Sequence, residues 1–247
     1  MKNLYLGLKF SFSYFSILPI SFRESDDLSS KEILGAMVLF LPSVGLLLGA
    51  VTISIYLLFL SDLGWYGATI SSLIYMVLYG FIHTEAVLDV ADAIYASHSG
   101  KDAYKIIKEP IVGAMGVLYA IGVVIAKIAG ISYLLLNHLY LEFIIALITS
   151  RVSLIILFYI HQFRSSFATQ LKESITTNSM IISIISYSAI SLLMSYSTLL
   201  IMPLGILLAI SISFWIKGKI GFVNGDVLGT TLEGVEIILF MIIAKLF

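Results

Sequence analysis

The chain has 247 residues, 60% of them hydrophobic and only 12% charged, with a formal net charge of −1 and a mean hydropathy of +1.05. Soluble domains are roughly half apolar and about a quarter charged, so this balance excludes an ordinary water-soluble globule. It also excludes a disordered chain and a polybasic protein that takes nucleic acid as its partner. Cysteine is absent, which removes disulfides, a thiolate nucleophile and Cys-ligated metals. No polar linker divides the sequence, so residues 1–247 are expected to form a single integral-membrane domain.

In chain order, residues 3–20 are apolar and aromatic but carry Lys9 and end at Pro19. They read as a flanking helix rather than a cleaved signal peptide, because no A-x-A-like site follows. A span needs about 20 apolar residues to cross a bilayer core of about 30 Å. Ile33 to Ser61 is free of charge for 29 residues, and Ser174 to Ile216 for 43, long enough for two spans with a turn near Ser195 to Ser197. The pattern predicts six core helices at about 33–60, 64–82, 112–135, 140–160, 177–196 and 198–216. A C-terminal piece, 236–247, is too short to cross unless its helix starts earlier, near Asp226. The expected fold class is therefore all-α, a polytopic helical membrane protein with N- and C-terminal flanking helices.

These spans put segments 20–32, 83–111, 161–176 and 217–235 on one side, with nine Lys and Arg residues against none in the opposite connections. The positive-inside rule makes that side cytoplasmic. Almost every carboxylate lies there too, as expected for chemistry on a cytoplasmic substrate rather than for a through-pore.

Three constellations stand out. In His83-Thr-Glu85-Ala-Val-Leu-Asp89-Val-Ala-Asp92, the carboxylates at i, i+4 and i+7 share one helix face. Like charges in a row repel, and a hard oxygen-liganded ion such as Mg²⁺ relieves that. An interfacial helix with a solvated acidic face has the same pattern. In Asn224-Gly225-Asp226-Val-Leu-Gly229, followed by Glu233 and Glu236, a turn leads into a helix capped at its start. The small residues at 229–231 admit a neighbouring helix or a ligand, and a capped last helix with a polar face is the plainer alternative. Arg151 lies alone in the apolar run Phe143 to Ile160, at a cost of about 2.5–3.5 kcal/mol on insertion scales. It is expected to turn inward, to a carboxylate or to a phosphate, which its planar fork grips in two places. Lys127 is placed to do the same or to snorkel. Lys105, Lys108 and Arg164 are loop cations by default. Gly113-Ala-Met-Gly116 reads as a close-packing pair.

At these residues the chain resembles the cobalamin synthase (adenosylcobinamide-GDP ribazoletransferase) family. Gly80-Phe-Ile-His83-Thr-Glu85-Ala86-Val-Leu-Asp89-Val-Ala-Asp92-Ala93 follows that family's G-F-L-H-x-D-G-L-A-D-x-x-D-G pattern, and Asn224 to Glu236 follows T-G-D-x-x-G-A-x-x-E-x-x-E. Phe15 to Pro19, Phe40 to Gly49, Lys108 to Gly116 and Ser150-Arg151 add collinear matches. Glu85, Ala86, Ala93, Ile111 and Asn224 depart from the pattern. The resemblance implies transfer of adenosylcobinamide phosphate from adenosylcobinamide-GDP to α-ribazole or its 5′-phosphate, with release of GMP, in the bacterial cytoplasmic (inner) membrane. It implies Mg²⁺ as cofactor, with Glu85, Asp89, Asp92, Asp226, Glu233 and Glu236 as ligands. His83, Asp89, Asp92 and Arg151 are the expected catalytic residues. Lys105, Lys108, Arg151, Arg164, Asn224 and Gly225 are expected on the substrate. The lipid bilayer is a partner, and a homo-oligomer is compatible. Two other classes fit the composition: a CDP-alcohol-type phosphotransferase, whose arginine-containing pattern is missing after Ala91, and a transporter or structural subunit, which would show broken helices and midplane charges.

Overall fold

A computed structural model describes residues 2–109 and 111–247, and among them every regular element is helical. Three peripheral helices, α1 (Lys2–Tyr14), α2 (Lys31–Leu39) and α9 (Ser166–Ser174), pack together. α1 has 13 residues, about 20 Å at 1.5 Å per residue, which is too short to span. Its Gly7 lies against Ala36 of α2, where a β-carbon would overlap the alanine methyl.

The first expected span, 33–60, is divided. α2 stops at Phe40, and α3 (Leu41–Ile55) starts again with Pro42 in its first turn, where the missing N–H is harmless. A π turn (Tyr56–Leu60) and a 3₁₀ turn (Ser61–Leu63) complete a crossing from Leu41 to Leu63. The second expected span, 64–82, is shorter than foreseen. α4 (Trp65–Leu78) ends after 14 residues, and the chain turns by 80° into α5 (Ile82–His98). Gly80 (φ 67°) and Phe81 (φ 54°) make that turn in the left-handed region, a strained setting for phenylalanine that costs of order 1–3 kcal/mol. The acidic row 85–92 therefore sits on the second helix of this bent pair rather than in a loop.

After α6 (Ala103–Lys108), α7 (Ala114–Leu136), α8 (Tyr140–Ile160), α10 (Thr177–Met194) and α11 (Thr198–Ile220) fall close to their expected places. α12 (Gly225–Leu246) starts eleven residues earlier than the short C-terminal piece, next to Asp226, and is long enough for a full crossing. Among the described residues six helical segments are thus long and apolar enough to cross a membrane, and the bent α4–α5 pair passes the same test when its two helices are taken together.

α8 is the central helix, buried along nearly its whole length against α3, α11 and α12. Its approach to α3 depends on Gly45 and Gly49, whose missing side chains leave room for the Leu147 carbonyl and for Ile144, a small-xxx-small contact. α12 meets α5 through Gly229, where a β-carbon would stand 2.7 Å from that of Ala86. Thr230 Oγ1 donates to the Ala86 carbonyl at 2.9 Å across the same contact. This contact carries Asp226 to the acidic row.

Candidate active site

A cavity of about 440 Å³ opens between α1, α5, α6, α9 and the start of α12. Its inner wall is apolar and aromatic, with Phe15, Leu41, Leu154, Phe158 and Phe167 among the lining residues. His83 is buried at its base, stacked between Phe15 and Tyr79 with ring centroids 5.9 Å away on each side. Asn224, Gly225 and Asp226 line one side, and Lys108 and Arg164 line the rim. Asn224 caps α12 by accepting from the Val227 amide (3.1 Å) and donates from Nδ2 to Asp226 (2.6 Å). Burial, reinforced by the Asp226 charge, raises the pKa of the Tyr14 hydroxyl, so Tyr14 presents a donor to the cavity.

Asp89 is half-buried, and the charges that act on it are those of Asp226, Glu85 and Asp92. Glu85 is exposed on the same helix. Among the described residues, none of Glu85, Asp89 and Asp226 pairs with a Lys or Arg within 4 Å. Asp92 is engaged differently. Its two oxygens accept the amides of Gly113 (2.6 Å) and Gly116 (2.7 Å) at the start of α7, where the helix dipole favours a negative charge. A β-carbon on either glycine would run into the carboxylate. The glycine pair is thus a close-packing device, and Asp92 pins α5 to α7.

Glu233 and Glu236, expected as metal ligands, lie elsewhere. Both are fully buried below the cavity, and Lys127 Nζ reaches each at 2.7 Å. Arg151, expected on the substrate or in catalysis, pairs with Glu236 and donates to Tyr75 Oη at 3.2 Å. Tyr79 donates to Glu233 at 3.0 Å, and Ser150 donates to Glu236 at 3.0 Å. Charge balance accounts for this placement: two cations and two carboxylates on α7, α8 and α12 pair with one another away from water. Lys127 does not snorkel but sits fully buried between them. Lys105 is exposed and does not line the cavity.

Among the described residues, no three His, Asp or Glu side chains converge closely enough to hold a metal ion by themselves. The all-oxygen set Glu85, Asp89 and Asp226 nevertheless has the chemistry for Mg²⁺, which keeps several waters and is commonly held by one or two carboxylates together with substrate phosphates. Of the cavity-lining aromatics, Phe15 opens one of the collinear family matches, whereas Tyr14, Tyr104, Phe158 and Phe167 belong to none of the sequence constellations. The one local signal is Tyr104 and Lys108 at i, i+4 on α6.

Comparison with known proteins places these features in context. The family model for cobalamin-5-phosphate synthase matches residues 7–244. A Clostridium perfringens protein named adenosylcobinamide-GDP ribazoletransferase is 30% identical, with 96% of each chain covered. Proteins of the same name from Caldanaerobacter subterraneus (26% identical; 98% of this chain and 97% of that one) and Brevibacillus brevis (24%; 94% of each) are also similar along nearly their full lengths. No solved structure matches the chain significantly.

Proposed function

The chain belongs to the cobalamin-5-phosphate synthase family, and on that premise we propose that it transfers adenosylcobinamide phosphate from adenosylcobinamide-GDP to α-ribazole or its 5′-phosphate. The observation that carries this reading is a cavity with the Asp226 carboxylate on one side, close enough to act on Asp89, with cations at the rim and an apolar aromatic wall. The substrates demand that combination: a diphosphate flanked by apolar ring systems.

In the reaction a free ribose hydroxyl of the acceptor attacks the phosphorus on the cobinamide side. The phosphoanhydride bond breaks, GMP leaves with the bond's electron pair, and the hydroxyl proton passes to a base. Such transfers depend mostly on positioning and on neutralising phosphate charge. His83 and Asp226 line the cavity and are the candidates for that proton. The aromatic wall holds the apolar ring of the acceptor and excludes water. Mg²⁺ would be held by Glu85, Asp89 and Asp226 and would supply charge neutralisation at the diphosphate. Asp92 acts on α5 and α7, and Arg151 acts on Glu236, so both support the site without touching substrate.

The basic loops support a cavity on the cytoplasmic side of the bacterial inner membrane. A cysteine introduced at Ser99 is then expected to label from the cytoplasm only, and one at Ser61 from the opposite side only. Same-side labelling would overturn the topology. The reaction itself is tested with purified protein in detergent, adenosylcobinamide-GDP, α-ribazole and Mg²⁺. Stoichiometric release of GMP with formation of the joined product is expected. Hydrolysis of the diphosphate at the same rate without α-ribazole would contradict the transfer.

A further inference from the structure

The rim of the cavity holds an arrangement that the reaction alone does not explain. Arg164 lies over the Tyr104 ring, with its guanidinium carbon 3.7 Å from the centroid, and Lys108 Nζ lies 4.5 Å from the same centroid. Among the described residues neither cation has a carboxylate within 4 Å. Both are exposed, and both line the cavity. Two like charges gathered on one neutral ring repel, and the ring's quadrupole offsets only part of that repulsion. An anion between them offsets the rest.

The ring is itself fixed. Tyr104 follows Asp102, which caps α6 by accepting the Tyr104 amide at 3.0 Å. Its ring meets buried Phe222 edge-on at 5.3 Å. Arg164 is fixed through its backbone, whose amide donates to the Val223 carbonyl at 2.8 Å. Phe222 and Val223 belong to the turn whose next residue, Asn224, caps α12 and holds Asp226. One turn therefore sets the distance between the basic rim and the carboxylates.

We infer that Tyr104 is a positioning residue that holds Arg164 and Lys108 as a clamp on the phosphate of the departing nucleotide. This rests on the transferase reading and deepens it by giving the substrate a direction. The departing nucleotide monophosphate is the fragment that must return to water, and the cations stand at the exposed rim. The acceptor's apolar ring takes the inner wall beside His83. Its hydroxyl then approaches the phosphorus from the side opposite the leaving group, as an in-line displacement requires.

The test uses the full-length protein in detergent and compares GMP with guanosine by calorimetry, alongside steady-state kinetics, for Tyr104→Phe, Tyr104→Leu and Arg164→Lys. Tyr104→Phe keeps the ring and is expected to bind GMP within about twofold of the parent, on the scale of cation–π energies. Tyr104→Leu and Arg164→Lys are expected to weaken GMP about 3- to 30-fold. Guanosine should be unchanged, KM for adenosylcobinamide-GDP should rise, and KM for α-ribazole should not move. Equal losses for GMP and guanosine would overturn the clamp, as would a rise in the α-ribazole KM alone or Tyr104→Leu matching the parent. If Tyr104→Leu does not fold, Arg164→Lys against Tyr104→Phe decides, because Arg164→Lys keeps the charge and loses the planar guanidinium over the ring. Binding of GMP is read without turnover, so a protein that needs Tyr104 for GMP but forms no joined product refutes the transferase reading and leaves the clamp standing.

Discussion

Replacing Lys127 by methionine is expected to destabilise the protein by about 3–5 kcal/mol, the usual result of removing one partner from a buried ion pair. Lys127 is the shared partner of Glu233 and Glu236, 2.7 Å from each, and nothing in that cluster is exposed to water. Without it, Arg151 alone faces two carboxylates. A loss of that size is a large part of the stability of a typical domain, so the variant should show a much lower thermal midpoint and reduced yield. The double variant Lys127→Met/Glu233→Gln removes one charge of each sign and should recover more than half of the loss. Equal melting of the single variant and the parent would show that the cluster does not bind α7 to α12.

Asp226→Asn and Asp89→Asn are each expected to lower turnover by about 10²–10³-fold, the scale seen when one preorganised electrostatic group is removed from a transition state, with melting little changed. The amide keeps the shape of the carboxylate and loses its charge. Asp92→Asn should behave in the opposite way. Both Asp92 oxygens accept backbone amides, and an asparagine can accept only one of them. The orphaned donor costs about 1–3 kcal/mol of stability, while turnover in the folded fraction stays close to that of the parent. A variant Asp92→Asn that melts normally and is inactive would move Asp92 from the packing of α5 on α7 into the site.

Much of this architecture can be read from the sequence, because hydropathy and charge act locally. The crossings at α7, α8, α10 and α11 follow from their apolar lengths. The ends of other spans do not, because they depend on single backbone events. Pro42 restarts a helix inside an apolar run, and Gly80 with Phe81 bends another where hydropathy is featureless. The acidic row was visible in its spacing, but the division of its labour was not. Whether a carboxylate meets an ion, an amide or a lysine depends on helices 20 to 150 residues away. Glu233 and Glu236 share a helix face with the site-forming turn, yet they belong to the charge-balanced cluster. The resemblance to a family collects both kinds of position, since glycines that allow packing and acids that lock helices recur alongside acids that do chemistry. A bent helix pair and buried charges within the spans, the marks expected of a transporter, are both present, and here the pair presents the acidic row while the buried charges neutralise one another. Most of the aromatic wall had no sequence signal, because segments far apart in the chain contribute one or two residues each.

The central claim is that the carboxylates of α5 and α12 act as one centre. A Mg²⁺ melting series on the parent, Asp89→Asn, Asp226→Asn and the double variant tests it without turnover. Mg²⁺ binding the folded state should raise the parent's thermal midpoint by mass action. Each single variant should lose most of that rise, and the double variant should lose little more, because the second change acts on a site already broken. A Mg²⁺-induced rise that falls by independent, additive steps, or one that survives both substitutions, would contradict a shared centre.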